Sequence, residues 1–165
     1  MDDRLSIGFI GGGNMAAALA SGLAGKVCPA GNIHVVEIDP AAHAAWQARG
    51  MTVAAAPDDR LAACRVWIYA VKPQNMRTAA QETRPLLGQH TLVMSVAAGI
   101  RADTLATWLG APGRPWQRLV RCMPNTPALL GAGVTGLYAS AAVDAAGREL
   151  AQSLLSAAGE TVWIG

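Results

Sequence analysis

Three consecutive glycines stand between an apolar run and an alanine-rich run in the stretch "IGFIGGGNMAAALASGLAG". Glycine costs backbone entropy on folding, so a cluster of glycines indicates a place where another group must come close to the backbone. The spacing Gly11-x-Gly13-x-x-Ala16 is that of a phosphate-binding turn in dinucleotide folds. Gly11 would permit the tight turn, Gly13 would leave room for a pyrophosphate, and Ala16 would allow close helix–strand packing. We predict a dinucleotide site here, and the alternative is a tight turn without a ligand.

An acidic pair follows the next apolar run, in "VVEID". An acid a little over about 20 residues beyond the glycines usually accepts hydrogen bonds from the ribose hydroxyls of the adenosine. Asp39 precedes Pro40, which also makes it a good helix N-cap. We therefore prefer Glu37 for the ribose, and the alternative for Glu37 is a solvated charge at a strand end.

Three later stretches are expected at the carboxyl ends of strands, where open parallel sheets bind ligands. They are "AVKPQNM" (70–76), "SVAAG" (95–99) and "RCMPNTPALLGAG" (121–133). None of them resembles an acid–base pair or a metal cluster. The pattern is typical of a site that holds a cofactor, with the hydride chemistry supplied by the cofactor itself, and it assigns no catalytic residue.

Other residue types that often carry chemistry are scattered along the chain. The three histidines are expected to be structural or exposed: His34, His43 and His90. The three cysteines are odd in number, widely spaced and set among apolar residues, so we predict buried free thiols: Cys28, Cys64 and Cys122. We predict no metal site.

The elements that must position the glycines and the acid alternate along the chain. Apolar runs predict strands at 5–10, 33–38, 52–54, 66–70, 91–96, 118–122, 134–138 and 161–164. Helical spacing and capping signals predict helices at 14–24, 40–49, 58–63, 76–87, 102–109 and 144–158. Strands and helices in turn predict an α/β fold with a doubly wound, mainly parallel, Rossmann-like sheet and helices on both faces.

Composition and charge restrict the class of protein. The chain has 165 residues, 52% hydrophobic and 15% charged, which predicts one compact domain over 1–165. No apolar run approaches the ~20 residues of a membrane span, and the start "MDDRLSIGF" is acidic, so we expect a cytoplasmic protein. The net charge is +2 and no basic run is present, so we expect no nucleic-acid partner.

Four segments, in order and spacing, resemble the N-terminal domain of the pyrroline-5-carboxylate reductase family. They are "GFIGGGNMAAAL", "AVKPQNM", "SVAAGI" and "RCMPNTPALLGAGVTGLYA". That family reduces the imine of 1-pyrroline-5-carboxylate to L-proline with NADH or NADPH. The resemblance implies cofactor contacts from Ile10, Gly11, Gly12, Gly13, Asn14, Met15, Ala70, Val71, Lys72, Pro73, Val96, Ala97 and Ala98. It also implies that Asn125 lies near the nicotinamide.

The sequence departs from the family in two ways. Many members have Asn-Arg or two serines where this chain has Glu37-Ile38-Asp39, so we expect NADH to bind at least as well as NADPH. Members also continue past the equivalent of "GETVWIG" into a helical domain, which supplies the dimer interface, much of the pyrroline pocket and the proton donor. We therefore expect the full-length protein to be a homo-oligomer and this chain alone to lack turnover. The alternatives are a nucleotide-binding module without turnover, or a relative acting on another imine or a hydroxy acid.

Overall fold

The computed structural model describes residues 1–123, 133–157 and 159–164. The strands are β1 (Ile7–Ile10), β2 (Ile33–Val36), β3 (Thr52–Ala54), β4 (Val66–Tyr69), β5 (Leu92–Ser95), β6 (Leu119–Met123), β7 (Gly133–Ala139) and β8 (Gly159–Trp163). The α-helices are α1 (Asn14–Leu23), α2 (His43–Ala48), α3 (Asp59–Ala63), α4 (Met76–Thr83), α5 (Ala102–Leu109) and α6 (Ala145–Ser156). Every predicted strand and helix is present, with ends that differ by a few residues.

The strands form one sheet in the order β3-β2-β1-β4-β5-β6-β7-β8. Strands β1 to β6 are parallel to one another, β7 is antiparallel to β6, and β8 is parallel to β7. Parallel neighbours need a crossover of a dozen or more residues, and only residues 124–132 separate β6 from β7 along the chain. The prediction of a mainly parallel, doubly wound sheet is confirmed.

The core lies on both faces of the sheet. One cluster joins α1, α2 and α6 to the sheet, for example through Leu19, Trp46 and Leu154. The other joins α3, α4 and α5 to the opposite face, for example through Leu61 and Met76. β1, β2, β4 and β5 are buried along their whole length, as expected of strands covered on both faces.

Two helices differ most from their predicted bounds. The predicted helix 76–87 ends at Thr83 and continues as a 3-10 turn, Arg84–Leu86, because Pro85 has no N–H to donate to the preceding turn. The predicted helix after Asp39 begins as a 3-10 turn, Pro40–Ala42, before α2. The Asp39 carboxylate accepts a hydrogen bond from the Ala41 N–H at 3.0 Å, so Asp39 does act as a cap.

The histidines and cysteines have the structural roles that were predicted. His34 is buried, with Nδ1 2.7 Å from Thr52 Oγ1 and Nε2 2.9 Å from Asp58 Oδ1. His43 lies with Nε2 2.7 Å from the Glu37 carbonyl oxygen, and His90 is exposed. All three cysteines are free and buried.

Candidate functional site

Four strands end at the same level on the carboxyl edge of the sheet. The register pairs Ile10 with Val36 and with Tyr69, and it pairs Tyr69 with Ser95. Hydrogen bonds extend this alignment one residue further, for example from the Ala70 N–H to the Ile10 carbonyl at 2.8 Å. The residues that immediately follow the four ends are Gly11, Glu37, Ala70 and Val96. The structure therefore brings together four of the segments predicted to contact a cofactor.

Gly11 makes the tight turn that leaves β1. Its φ is +97°, a conformation that side chains rarely adopt. A Cβ on Gly11 would lie 2.7 Å from Val71 Cγ1 and 3.0 Å from the Ala70 carbonyl group. The segment after β4 therefore packs directly against the glycine turn, and any side chain on Gly11 would separate the two.

Gly13 faces open space at the start of α1. No atom lies within 4 Å of the position that a Cβ would occupy, and the residue is exposed. Gly13 is the N-cap of α1, and no side chain caps that end among the described residues. The first N–H groups of a helix and its dipole together attract an anion, so the turn fits a phosphate group without the help of a lysine. Asn14 and Met15 begin α1, and Ala16 is buried against the sheet.

Glu37 and Trp46 form the wall opposite Gly12. A Cβ on Gly12 would lie 2.9 Å from Trp46 Nε1 and 3.2 Å from Glu37 Oε1. The other carboxylate oxygen, Oε2, accepts a hydrogen bond from the Asp39 N–H at 3.0 Å, which orients the side chain. Trp46 could not be identified from the sequence, because a tryptophan in an alanine-rich helix gives no signal beyond that of a core residue.

The remaining predicted residues lie around the same edge. Val96 and Ala97 are buried, Ala98 is exposed, and Ser95 Oγ accepts a hydrogen bond from the Ala97 N–H at 3.3 Å. Lys72 and Pro73 are exposed at the start of a 3-10 turn that leads into α4. Asn125 lies outside the described residues.

The arrangement is chemically suited to hold a ligand with an anionic centre and hydroxyl groups. The α1 N-terminus offers N–H donors, and Glu37 offers a carboxylate acceptor beside it. Within residues 1–123, 133–157 and 159–164, no group of three or more His, Cys, Asp or Glu side chains could hold a metal ion. In the same part of the chain, no helix is long and apolar enough to cross a membrane.

A family model described as "NADP oxidoreductase coenzyme F420-dependent" matches residues 6–99. This chain belongs to that family. The match contains the glycine turn, β1 to β5 and the segments after them, which are the parts that build the candidate site. The family assignment agrees with the oxidoreductase class that the sequence resemblance implied.

Individual relatives of this chain carry the name of a specific enzyme, pyrroline-5-carboxylate reductase. The chain is 44% identical over 161 residues to the pyrroline-5-carboxylate reductase of Pseudomonas aeruginosa, a match that covers 96% of this chain and 57% of that protein. It is 37% identical over 132 residues to the pyrroline-5-carboxylate reductase of Pisum sativum, which covers 79% of this chain and 46% of that protein. The chain thus spans about half the length of the curated relatives it matches.

A solved structure matches the fold closely. The pyrroline-5-carboxylate reductase of Coxiella burnetii superposes with a TM-score of 0.90 at 31% identity, covering 99% of this chain and 60% of that chain. The eight-stranded fold of this chain is therefore similar to that of a solved pyrroline-5-carboxylate reductase, the enzyme whose family the sequence resembles.

Proposed function

We propose that this chain forms the dinucleotide-binding part of a pyrroline-5-carboxylate reductase, which reduces the imine of 1-pyrroline-5-carboxylate to L-proline with NADH or NADPH. The observation that carries the substrate assignment is the 44% identity to the Pseudomonas aeruginosa enzyme over 96% of the chain. The geometry of the edge supports dinucleotide binding, and the relatives' names support the choice of substrate.

In this proposal the pyrophosphate lies over Gly13 and accepts hydrogen bonds from the first N–H groups of α1. The absence of any atom within 4 Å of a Gly13 Cβ supports this placement. Glu37 accepts hydrogen bonds from the adenosine ribose hydroxyls, beside the Trp46 indole. Ala70 to Pro73 and Val96 to Ala98 line the rest of the cofactor, and Asn125 is assigned to its nicotinamide end.

When bound, a nicotinamide dinucleotide supplies the hydride that the imine carbon accepts. The role of this chain is to hold and orient the dinucleotide at the carboxyl edge of the sheet. In this proposal Glu37 faces the ribose and the exposed Lys72 faces the phosphates, so neither of these two groups is assigned to protonate the imine nitrogen. We propose that the whole protein is a cytoplasmic homo-oligomer without a nucleic-acid partner.

Cofactor choice tests the role of Glu37. We expect NADH to bind at least as tightly as NADPH, because the 2′-phosphate of NADPH would meet the Glu37 carboxylate. Two like charges about 4 Å apart cost about 4 kcal/mol at an effective dielectric of about 20, and less where water screens them. Glu37→Ser should improve NADPH binding at least about tenfold, which is about 1.4 kcal/mol, and weaken NADH binding, because the ribose hydroxyls lose their carboxylate acceptor. Titration of both cofactors at low salt measures the two affinities.

The control is Glu82→Ser, which removes an exposed carboxylate from α4, away from the edge. It should leave both affinities unchanged. If the wild type clearly prefers NADPH and Glu37→Ser does not change that preference, the assignment of Glu37 is contradicted. Failure of both cofactors to bind the folded protein would contradict the proposed function itself.

A further inference from the structure

His43 contacts the backbone of the residue that we assign to the ribose. Its Nε2 lies 2.7 Å from the Glu37 carbonyl oxygen, and the side chain is only partly buried. A carbonyl oxygen can only accept, so Nε2 carries the hydrogen of this bond. The other ring nitrogen, Nδ1, has no hydrogen-bond partner among the described residues.

The imidazole can therefore gain a proton at Nδ1 without losing its bond to Glu37. Both ring nitrogens are donors in the protonated ring, so the bond from Nε2 is available in both charge states. Histidine is the side chain that ordinarily changes its charge between pH 5 and pH 8. The structure thus holds, beside Glu37, a group whose charge can change by one while its position stays the same.

The charged side chains next to His43 in the connection from β2 to α2 are both acidic. Glu37 Oε2 accepts a hydrogen bond from the Asp39 N–H at 3.0 Å, and the Asp39 carboxylate accepts one from a backbone N–H at 3.0 Å. Both carboxylates are therefore held by backbone donors. Within the part of the chain that the structure describes, His43 forms no salt bridge with either of them.

The elements packed against α2 add no free cation at this place. β3 carries no ionisable side chain, and neither does α1. On β2 the ionisable side chain is His34, which is already bonded to Asp58. Arg49, at the C-terminal end of α2, lies with its guanidinium carbon 5.0 Å from the centroid of the Trp46 ring. His43 is therefore the group in this region that can supply a positive charge beside Glu37.

We propose that His43 makes the choice between NADH and NADPH depend on pH, with NADPH favoured increasingly as the pH falls. This inference rests on the proposed function, in which the ribose 2′ position faces the Glu37 carboxylate. A 2′-phosphate carries about −1.5 to −2 charges at pH 7. The imidazole and the carboxylate are separated by at most the Glu37 side chain and one hydrogen bond, which is less than the Debye length of about 10 Å at 0.1 M salt. An imidazolium there attracts the 2′-phosphate and partly offsets its repulsion by Glu37, whereas a 2′-hydroxyl gains little.

The test measures the affinities of the 165-residue chain for NADPH and NADH at pH 8 and pH 6 and at low salt. The matched variant is His43→Gln, which keeps an N–H donor for the Glu37 carbonyl but cannot gain a proton. Between pH 8 and pH 6, the ratio of NADPH affinity to NADH affinity should rise at least about threefold more in the wild type than in His43→Gln. The 2′-phosphate gains a proton of its own near pH 6, in wild type and variant alike, so the comparison removes that contribution. His90→Gln, which removes an exposed histidine before β5 at the opposite edge, should behave as the wild type.

A second variant, His43→Arg, carries its positive charge at both pH values. It should raise the affinity ratio at pH 8 at least about threefold above that of the wild type and remove most of the difference between wild type and His43→Gln in pH response. Circular dichroism checks that each variant is folded. An equal pH response in wild type and folded His43→Gln would overturn the inference. If His43→Gln does not fold, His43→Arg decides, and an unchanged ratio at pH 8 would overturn it. A chain that binds NADH without any effect of His43 on the ratio contradicts this inference alone, whereas a folded chain that binds neither cofactor contradicts the proposed function.

Discussion

At the glycine turn, three neighbouring residues of one type have three different surroundings. Gly11 has a positive φ and a contact with Ala70 and Val71 that a side chain would break. Gly12 faces Trp46 and Glu37 so closely that a Cβ would meet both. Gly13 has an ordinary extended conformation and open space, so nothing in the fold itself demands glycine there. The open space at Gly13 leaves room for the pyrophosphate that we propose to bind there.

Gly13→Val should reduce dinucleotide affinity at least about tenfold while the protein remains folded, because the new side chain would fill the space assigned to the pyrophosphate. Gly31→Val is the matched control. Gly31 also has no atom within 4 Å of a Cβ and lacks a positive φ, but it precedes β2 at the opposite edge of the sheet. Titration of NADH, with circular dichroism as the check on folding, measures both variants. An unchanged affinity in folded Gly13→Val would mean that the turn holds no phosphate.

Thiol reactivity should follow burial. Desolvation raises the pKa of Cys64 from its ordinary value of 9.0 to about 11 and that of Cys122 to about 12, and burial also raises the pKa of Cys28. Since the thiolate is the reactive form, native protein at pH 8 should react slowly with a thiol reagent, and all three thiols should react once the chain is unfolded. Fast reaction of one thiol in the native protein would contradict this.

The same pKa shifts set the sign of a pH dependence. Between pH 9 and about 11 the unfolded chain loses thiol protons that the native protein keeps. The free energy of unfolding should therefore be unaffected by the thiols below pH 9 and fall above it, by up to about 1.4 kcal/mol per pH unit for each thiol. Denaturant unfolding of wild type and Cys64→Ala at pH 8 and pH 10 measures how much of this fall in the free energy of unfolding is due to Cys64.

Residues whose role depends on their neighbours in the sequence could be identified from the sequence. Residues whose role depends on contacts between distant segments could not. The glycine spacing and the acid after β2 follow from short-range chemistry, and the structure places them at one edge. Trp46 matters because distant segments pack beside it. No local pattern distinguishes such a tryptophan from a core residue.

At the scale of elements, three aspartates fix where helical segments begin. The side chains of Asp39, Asp58 and Asp144 accept hydrogen bonds from N–H groups two or three residues further on. Asp58 has a second role, because its Oδ1 lies 2.9 Å from Nε2 of buried His34 on β2. One carboxylate therefore starts α3 and ties it to β2, the strand that precedes Glu37.

Asp58→Ala should lower the free energy of unfolding by about 1–3 kcal/mol. The loss of an N-cap costs about 1 kcal/mol, and His34 would lose a partner while remaining buried. The neighbouring substitution Asp59→Ala removes an exposed first-turn carboxylate that makes no side-chain hydrogen bond within the described residues, and should cost under about 1 kcal/mol. Urea unfolding of the two variants compares them. Equal costs would show that the bond to His34 and the cap contribute little.

Element order was predictable because hydrophobic runs and capping signals are local. The patterns of apolar residues and caps predict the strands and helices in their observed order, and α5 with its observed bounds. The direction of β7 was not predicted, since strand direction depends on the connection between β6 and β7 rather than on the residues of either strand. The end of α4 was predicted too late because the pattern of apolar residues continues through Pro85.

At the scale of the whole molecule, the segments proposed to bind the cofactor share the carboxyl edge of the sheet, and two of the histidines are held in structural contacts. The glycine turn, Glu37 and the segments after β4 and β5 share that edge. The buried His34 is held between Thr52 and Asp58, and His43 is bonded to the Glu37 carbonyl. The described residues therefore place both of these histidines in structural contacts.

We expect the 165-residue polypeptide to bind a dinucleotide but not to reduce 1-pyrroline-5-carboxylate by itself. Hydride transfer needs the imine carbon aligned with the nicotinamide, and such positioning supplies about 7–11 kcal/mol of a barrier. The imine nitrogen must also gain a proton, and no described group at the edge is suited to deliver it.

The Pseudomonas aeruginosa reductase, of which this chain spans 57%, serves as the positive control. Both proteins receive NADH and 1-pyrroline-5-carboxylate, and proline formation is followed. Turnover by the 165-residue chain at about 1 per second or faster would place the proton donor within these residues and overturn the expectation.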